Sequence, residues 1–170
     1  MECDKLITLA TPPLTVDEYT AMLNELATAP EGAAACLVLA LLLTACDPEV
    51  GLRCIAIATH PSQLLGATLP KRLSRLVLSQ LWRQPYLPHS YILGALRDTG
   101  YALPDPPYAV STGTNPHSGD LESGTYKVFV ACSGAASPRP VTLTLDRDRL
   151  WKAREWSSLL MGIREPEPTP

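Results

Sequence analysis

The sequence predicts an α+β fold: an N-terminal helical bundle of four to five helices, then a small C-terminal three-stranded antiparallel sheet packed against it. Three observations carry this reading. Residues 14–99 hold apolar residues at helical spacing, punctuated by capping residues and prolines. Residues 101–123 turn proline-rich and then polar, which marks a crossing segment and a loop. Gly124–Gly162 is the long stretch of clear strand character, with apolar residues alternating at period two. A chain of 170 residues reads as a single domain. Its parts are 14–99 helical, 100–123 crossing segment and loop, 124–162 sheet, and 163–170 a frayed tail.

Residues 1–13 read as an irregular arm. The first helix opens at Leu14-Thr15-Val16-Asp17-Glu18-Tyr19. Thr15 is placed to cap it, Glu18 to reach back as the other half of a capping box, and Leu14 and Tyr19 to form a hydrophobic staple. Val16, Tyr19, Met22, Leu23 and Leu26 make its apolar stripe, and Pro30 stops it near Ala29. Residues 31–46 are apolar on every side, which places a helix at the centre of the bundle. Asp47-Pro48-Glu49 starts the next helix: a cap, a proline suited to the first turn, and an acid at the positive end of the dipole. That helix runs to about Thr59, ahead of Pro61. Another opens at Thr68-Leu69-Pro70 and reaches Arg83. A last short helix spans about Ser90–Asp98, with Gly100 as its stop.

In the second half, Tyr108–Ser111 has room for a strand, and residues 111–123 form a polar loop. Thr125–Cys132 and Val141–Asp146 alternate, Trp151–Ser157 supplies a third strand, and Asp146–Arg149 turns between the last two. Strands in this order form an antiparallel meander. Three strands are too few to stand alone, so the sheet needs the helices.

Composition narrows the function. The net charge of −3 argues against a nucleic-acid binder, which needs a concentrated basic face. The five cysteines form no CxxC pair, and no histidine lies at ligand spacing; free thiols and no metal are expected. No cofactor is implied. No basic leader precedes an apolar run, and Ala33–Cys46 is too short to cross a bilayer. Leu43-Thr44-Ala45-Cys46 has the pattern of a lipoprotein cleavage site, but the residues before it carry acids and one base, Lys5. Lipid attachment at Cys46 is therefore disfavoured, and a cytoplasmic protein is expected.

Several segments from Tyr86 onward stand together: Ser90-Tyr-Ile-Leu-Gly-Ala, Gly100-Tyr, Pro-Pro-Tyr108, Lys127-Val-Phe-Val-Ala-Cys-Ser-Gly-Ala, Ser137-Pro-Arg-Pro140 and Trp156-Ser-Ser-Leu-Leu with Gly162. Over residues 86–162 the chain resembles an uncharacterised bacterial family catalogued as a domain of unknown function. The resemblance implies a bacterial setting and carries no activity.

Two places have the residues for a site. In the Cys132–Pro140 connection, Ser133 and Ser137 offer hydroxyls, Gly134 lets backbone amides approach a ligand, and Arg139 offers a planar fork for a carboxylate or phosphate. The alternative is an ordered connection in which Arg139 bonds backbone carbonyls or Glu155. Trp151 and Trp156 fall at opposite parity and so face opposite sides of the sheet: one has a place in the core, and the other either covers the helix junction or lies on a binding surface beside Arg139, while burial of both between sheet and helices is the usual outcome for large aromatics. The second place is the helix before Arg83. There Lys71, Arg75, Ser79 and Arg83 recur every four residues, with Arg72 beside them, as a basic stripe for an acidic partner or as a solvated face.

Nucleophilic catalysis at Cys132 or Ser133 would need a histidine base. His60, His89 and His117 are scattered, and GxSxG, P-loop, GxGxxG and HExxH motifs are absent. The function expected is a non-enzymatic interaction or adaptor protein that binds another protein, with neither nucleic acid nor membrane as partner. The alternative is a small-molecule or phosphate-handling enzyme built on the Cys132–Pro140 loop.

Overall fold

Helix α2 (Pro30–Cys46) decides the architecture, because a helix that is apolar all round must be covered all round. Every residue from Gly32 to Leu42 is buried. One side of α2 lies across a β-sheet and touches all five of its strands, and the helix also packs against α1 (Val16–Leu26), α3 (Pro48–Ala58) and α4 (Lys71–Arg83). The computed structural model describes residues 2–9 and 11–168, with side chains from Asp4 onward.

The sheet corrects the expected fold. Among the described residues it has five antiparallel strands in sequence order: β1 (Glu2–Leu9), β2 (Tyr108–Thr114), β3 (Thr125–Val130), β4 (Arg139–Leu145) and β5 (Trp151–Glu155). The N-terminal arm, read as irregular, is an edge strand whose Leu9 pairs with Tyr108 and Ile7 with Val110. Only Ile7 and Leu9 of its described side chains are drawn towards the core, while Asp4, Lys5, Leu6 and Thr8 are exposed. A period-two signal resting on two residues is easily overlooked. Strand β2 starts where expected and runs on to Thr114, because Thr112 and Gly113 pair with Val130 and Phe129. The helices therefore do not form a self-contained bundle; they close over one face of the sheet.

That face is read directly from the register. Ile7 lies beside Val110, Thr112 beside Val130, Val128 beside Val141, and Leu143 beside Ala153. Val110, Thr112, Val128, Val130, Val141, Leu143 and Ala153 are all buried.

Helix boundaries follow local chemistry. Thr15 Oγ1 accepts from Glu18 N at 3.1 Å, and the Glu18 carboxylate accepts from Leu14 N at 2.7 Å. The box thus closes one residue earlier than expected, and Leu14 stays exposed instead of stapling to the buried Tyr19. Asp47 caps α3 through Val50 N, with Pro48 in its first turn. Gly51 lets α3 cross tightly over α2, since a Cβ there would overlap the Thr44 backbone.

Two further expectations need correction. Ser90–Asp98 is not a helix but 3-10 turns at Leu87–Tyr91 and Arg97–Thr99, joined through Gly94 at φ +93°. The third expected strand, Trp151–Ser157, ends at Glu155, and a 3-10 turn follows from Ser157 to Leu160. The bulge between Thr142 and Leu143 and this early stop override the parity argument, so Trp151 and Trp156 are both buried.

The C-terminal tail is held rather than frayed. Arg164 N donates to Gly134 O, Tyr101 Oη to Arg164 O, and Glu167 N to Arg97 O. Residues 169 and 170 of that tail lie outside the described residues.

Candidate functional site

The Cys132–Pro140 connection is built mainly to join parts of the fold. Ser133 N donates to Ser90 O at 2.9 Å, and Ser133 Oγ donates to Ala95 O at 2.7 Å. Cys132 Sγ lies 3.3 Å from Ser90 Oγ. Gly134 is buried where a Cβ would press on Ile163 and the Tyr101 hydroxyl, each at 2.7 Å. A glycine is needed there for close packing, with no ligand required. The Arg139 guanidinium donates through Nη2 to Met161 O at 2.9 Å and Gly162 O at 3.2 Å, and its buried Nε has no partner. Arg139 thus takes the backbone-carbonyl arrangement. Ser137 is exposed at the turn.

A pocket of about 260 Å³ does open beside this connection, lined by Ser90, Leu93, Leu96, Ser111, Cys132 and Ser133 among others. It brings Cys132 and Ser133 together with two more hydroxyls, but Arg139 and Ser137 are not part of its wall. No histidine lines it: His89 Nδ1 faces Tyr101 O at 3.0 Å, His60 Nδ1 faces Ser62 Oγ, and His117 lies exposed in the 115–124 loop. Trp151 and Trp156 belong to the core, and neither offers a surface.

Helix α4 is different. Lys71, Arg72, Arg75 and Arg83 are all exposed. Among the described residues none of the four is in an ion pair. The helix contains no acid, and only Val77 and Leu81 are fully buried against the core. Positions 71, 75, 78 and 82 fall on one stripe at helical spacing. That stripe reads Lys, Arg, Leu, Trp, and Trp82 is 88 % exposed while Leu78 is 37 % exposed. A tryptophan that leaves so much apolar surface in water, set among four bases, is the outstanding feature of the surface. Single exposed leucines are ordinary, whereas indoles are usually well covered.

Trp82 was not singled out from the sequence. Strict four-residue spacing from Lys71 runs through Ser79 and skips positions 78 and 82. Following the 3.6-residue turn from Lys71 would have found them.

Burial also shifts titratable groups of the interior away from these two surfaces. Burial pushes the Cys36 thiol up to about 12 and the Cys54 thiol up to about 11. Lys152 donates to Ile57 O at 2.6 Å, with Asp146 Oδ2 at 3.9 Å. Burial lowers its pKa, and the charges of Asp146 and Asp148 partly restore it. Among the described residues no cluster of three or more His, Cys, Asp or Glu could hold a metal ion, and no helix is long and apolar enough to cross a membrane.

A family model described as a domain of unknown function, DUF6935, matches residues 11–167. The chain belongs to the DUF6935 family. Among the described residues the match takes in helices α1 to α4 and strands β2 to β5, and so covers the helical half as well as residues 86–162. No curated protein and no solved structure matches the chain. The DUF6935 description names no activity, so any function must be argued from the surface of α4 and from the pocket beside Cys132.

Proposed function

We propose that this DUF6935 protein is a non-enzymatic interaction protein that docks another protein through the outer face of α4. The observation that carries this reading is Trp82, 88 % exposed on a helix with no acid and with four bases that, among the described residues, form no ion pair. Buried aromatics and arginines dominate binding energy at protein interfaces, and a rim of like charge selects partners of opposite charge and speeds encounter. The matching partner surface presents an apolar pocket rimmed by Asp and Glu. Nucleic acid fits less well: the basic residues form one short helix face on a chain with a pI near 5.6. A bacterial cytosolic setting is part of the proposal.

The enzyme reading has less support. Its pocket lacks Arg139, and Ser133 already donates to backbone carbonyls.

The test is capture from a lysate of the source organism with wild type and with Trp82→Ala/Arg75→Ala. Recovery of a protein by wild type, abolished in the variant, supports the reading. Equal recovery by both removes it. A retained nucleic acid, released by nuclease, would replace a protein partner with a nucleic acid.

A further inference from the structure

The charges of this chain are segregated along its length. From Leu6 to Leu52 it carries Asp17, Glu18, Glu25, Glu31, Asp47 and Glu49 and no Lys or Arg. From Val50 to Arg97 it carries Arg53, Lys71, Arg72, Arg75, Arg83 and Arg97 and no Asp or Glu. One stretch therefore presents only acid on its exposed turns, and the next presents only base.

The acidic stretch also contains an apolar pocket. Its walls include Pro13, Leu14, Leu39, Leu43 and Cys46, with Leu103 and Tyr108 from the crossing segment and β2, and it encloses about 280 Å³. An apolar cavity of about 150 Å³ already holds a benzene ring, so this one has room for an indole. Acids stand at its rim. The Glu18 carboxylate accepts from the backbone of Leu14, a wall residue, at 2.7 Å. Asp47, exposed, directly follows Cys46 of the wall. Leu14 itself is 75 % exposed, which leaves the pocket mouth open and apolar.

The exposed indole among bases and the open apolar pocket among acids are complementary in shape class and in charge. We infer that two copies of this chain associate, with Trp82 of one copy seated in the Leu14–Leu43–Cys46 pocket of the other and the α4 bases facing Glu18 and Asp47. The inference rests on the reading of α4 as a docking face and names a second copy as its occupant. A contact between two different patches closes into a dimer if it is made reciprocally about a two-fold axis, and into a ring or open series if it is not. Its charge component weakens as salt screens it.

Sedimentation velocity across a wide concentration range, at low and at high salt, tests the inference with two variants at exposed positions. Trp82→Ala removes the anchor. Leu14→Arg places a base at the pocket mouth. Circular dichroism and thermal melting confirm that both are folded. The expected result is concentration-dependent association of wild type that weakens with salt, and at least tenfold weaker association of each variant alone. An equimolar mixture of the two variants regains a one-to-one complex, because the Leu14→Arg copy keeps its tryptophan and the Trp82→Ala copy keeps its pocket. A wild type that stays monomeric overturns the inference, as does association indifferent to Trp82→Ala or a mixture that fails to regain the complex. A monomer that still captures another protein through Trp82 loses only the self-association. A monomer with no Trp82-dependent partner loses the docking reading as well.

Discussion

Helices α2 and α4 pack against one another, yet the chain uses them in opposite ways. Between Gly32 and Leu42, α2 has no exposed residue and no charge, and it is enclosed by the sheet on one side and by other helices around it. Helix α4 gives two residues fully to the core and turns four bases, Leu78 and Trp82 outward. On the proposed reading, the difference teaches how stability and recognition are kept apart in this fold. Substitutions in α2 should damage folding whatever they do to binding. Substitutions on the outer face of α4 should change binding and leave folding nearly untouched.

The largest effect belongs to the core of α2. Leu37 is fully buried, and Leu37→Ala is expected to cost about 2–5 kcal/mol of stability through lost burial and a residual cavity. Denaturant unfolding measures it, and a cost near zero would mean that α2 is not the centre of the fold. Next comes the crossing of α2 with α3. Gly51→Ala forces a methyl into the Thr44 backbone and is expected to cost about 1–3 kcal/mol. A neutral result would show that the two helices do not approach this closely.

A smaller effect concerns pH. Burial holds the native pKa of Lys152 below the ordinary 10.5. The unfolded chain therefore binds this proton more readily than the native one does. The contribution of Lys152 to stability should rise as pH climbs through its native pKa towards 10.5. In Lys152→Met that rise is absent, and comparing unfolding midpoints of both proteins at neutral and alkaline pH reads the difference. Identical pH profiles would place the amine in water. The smallest effect on stability is expected at α4: Trp82→Ala should stay within about 0.5 kcal/mol of wild type. A loss of several kcal/mol would move Trp82 into the core and end the contrast between the two helices.

Much of the helical half was legible because its signals are local. The Thr15–Glu18 box, the Asp47-Pro48 start and the all-apolar run after Glu31 each act within a turn or two of chain. The sheet was only partly legible because its signals are not. Strand β1 pairs with a partner about a hundred residues away, and two inward residues, Ile7 and Leu9, are too few to announce it. The opposite parity of Trp151 and Trp156 does not decide their exposure, because a bulge and an early strand end reset the alternation. Within the candidate site, Arg139 and Ser133 looked like ligand groups because the sequence does not reveal that Met161, Gly162, Ser90 and Ala95 present carbonyls to them. The basic stripe could be read from spacing alone, since Lys71, Arg72, Arg75 and Arg83 need only a helix to share a side. Trp82 needed the finer angle of the 3.6-residue turn.

The most direct test of the account is quenching of tryptophan emission by iodide and by caesium, in wild type and in Trp82→Ala. Trp151 and Trp156 are 6 % and 4 % exposed, so Trp82 should supply nearly all of the quenchable emission. The bases around it should draw the anion and repel the cation. At dilutions where the chain is monomeric, strong iodide quenching, much weaker caesium quenching, and loss of the accessible fraction in Trp82→Ala are expected. Quenching that survives Trp82→Ala, or caesium acting as well as iodide, would contradict an exposed indole in a basic setting and with it the docking proposed for α4.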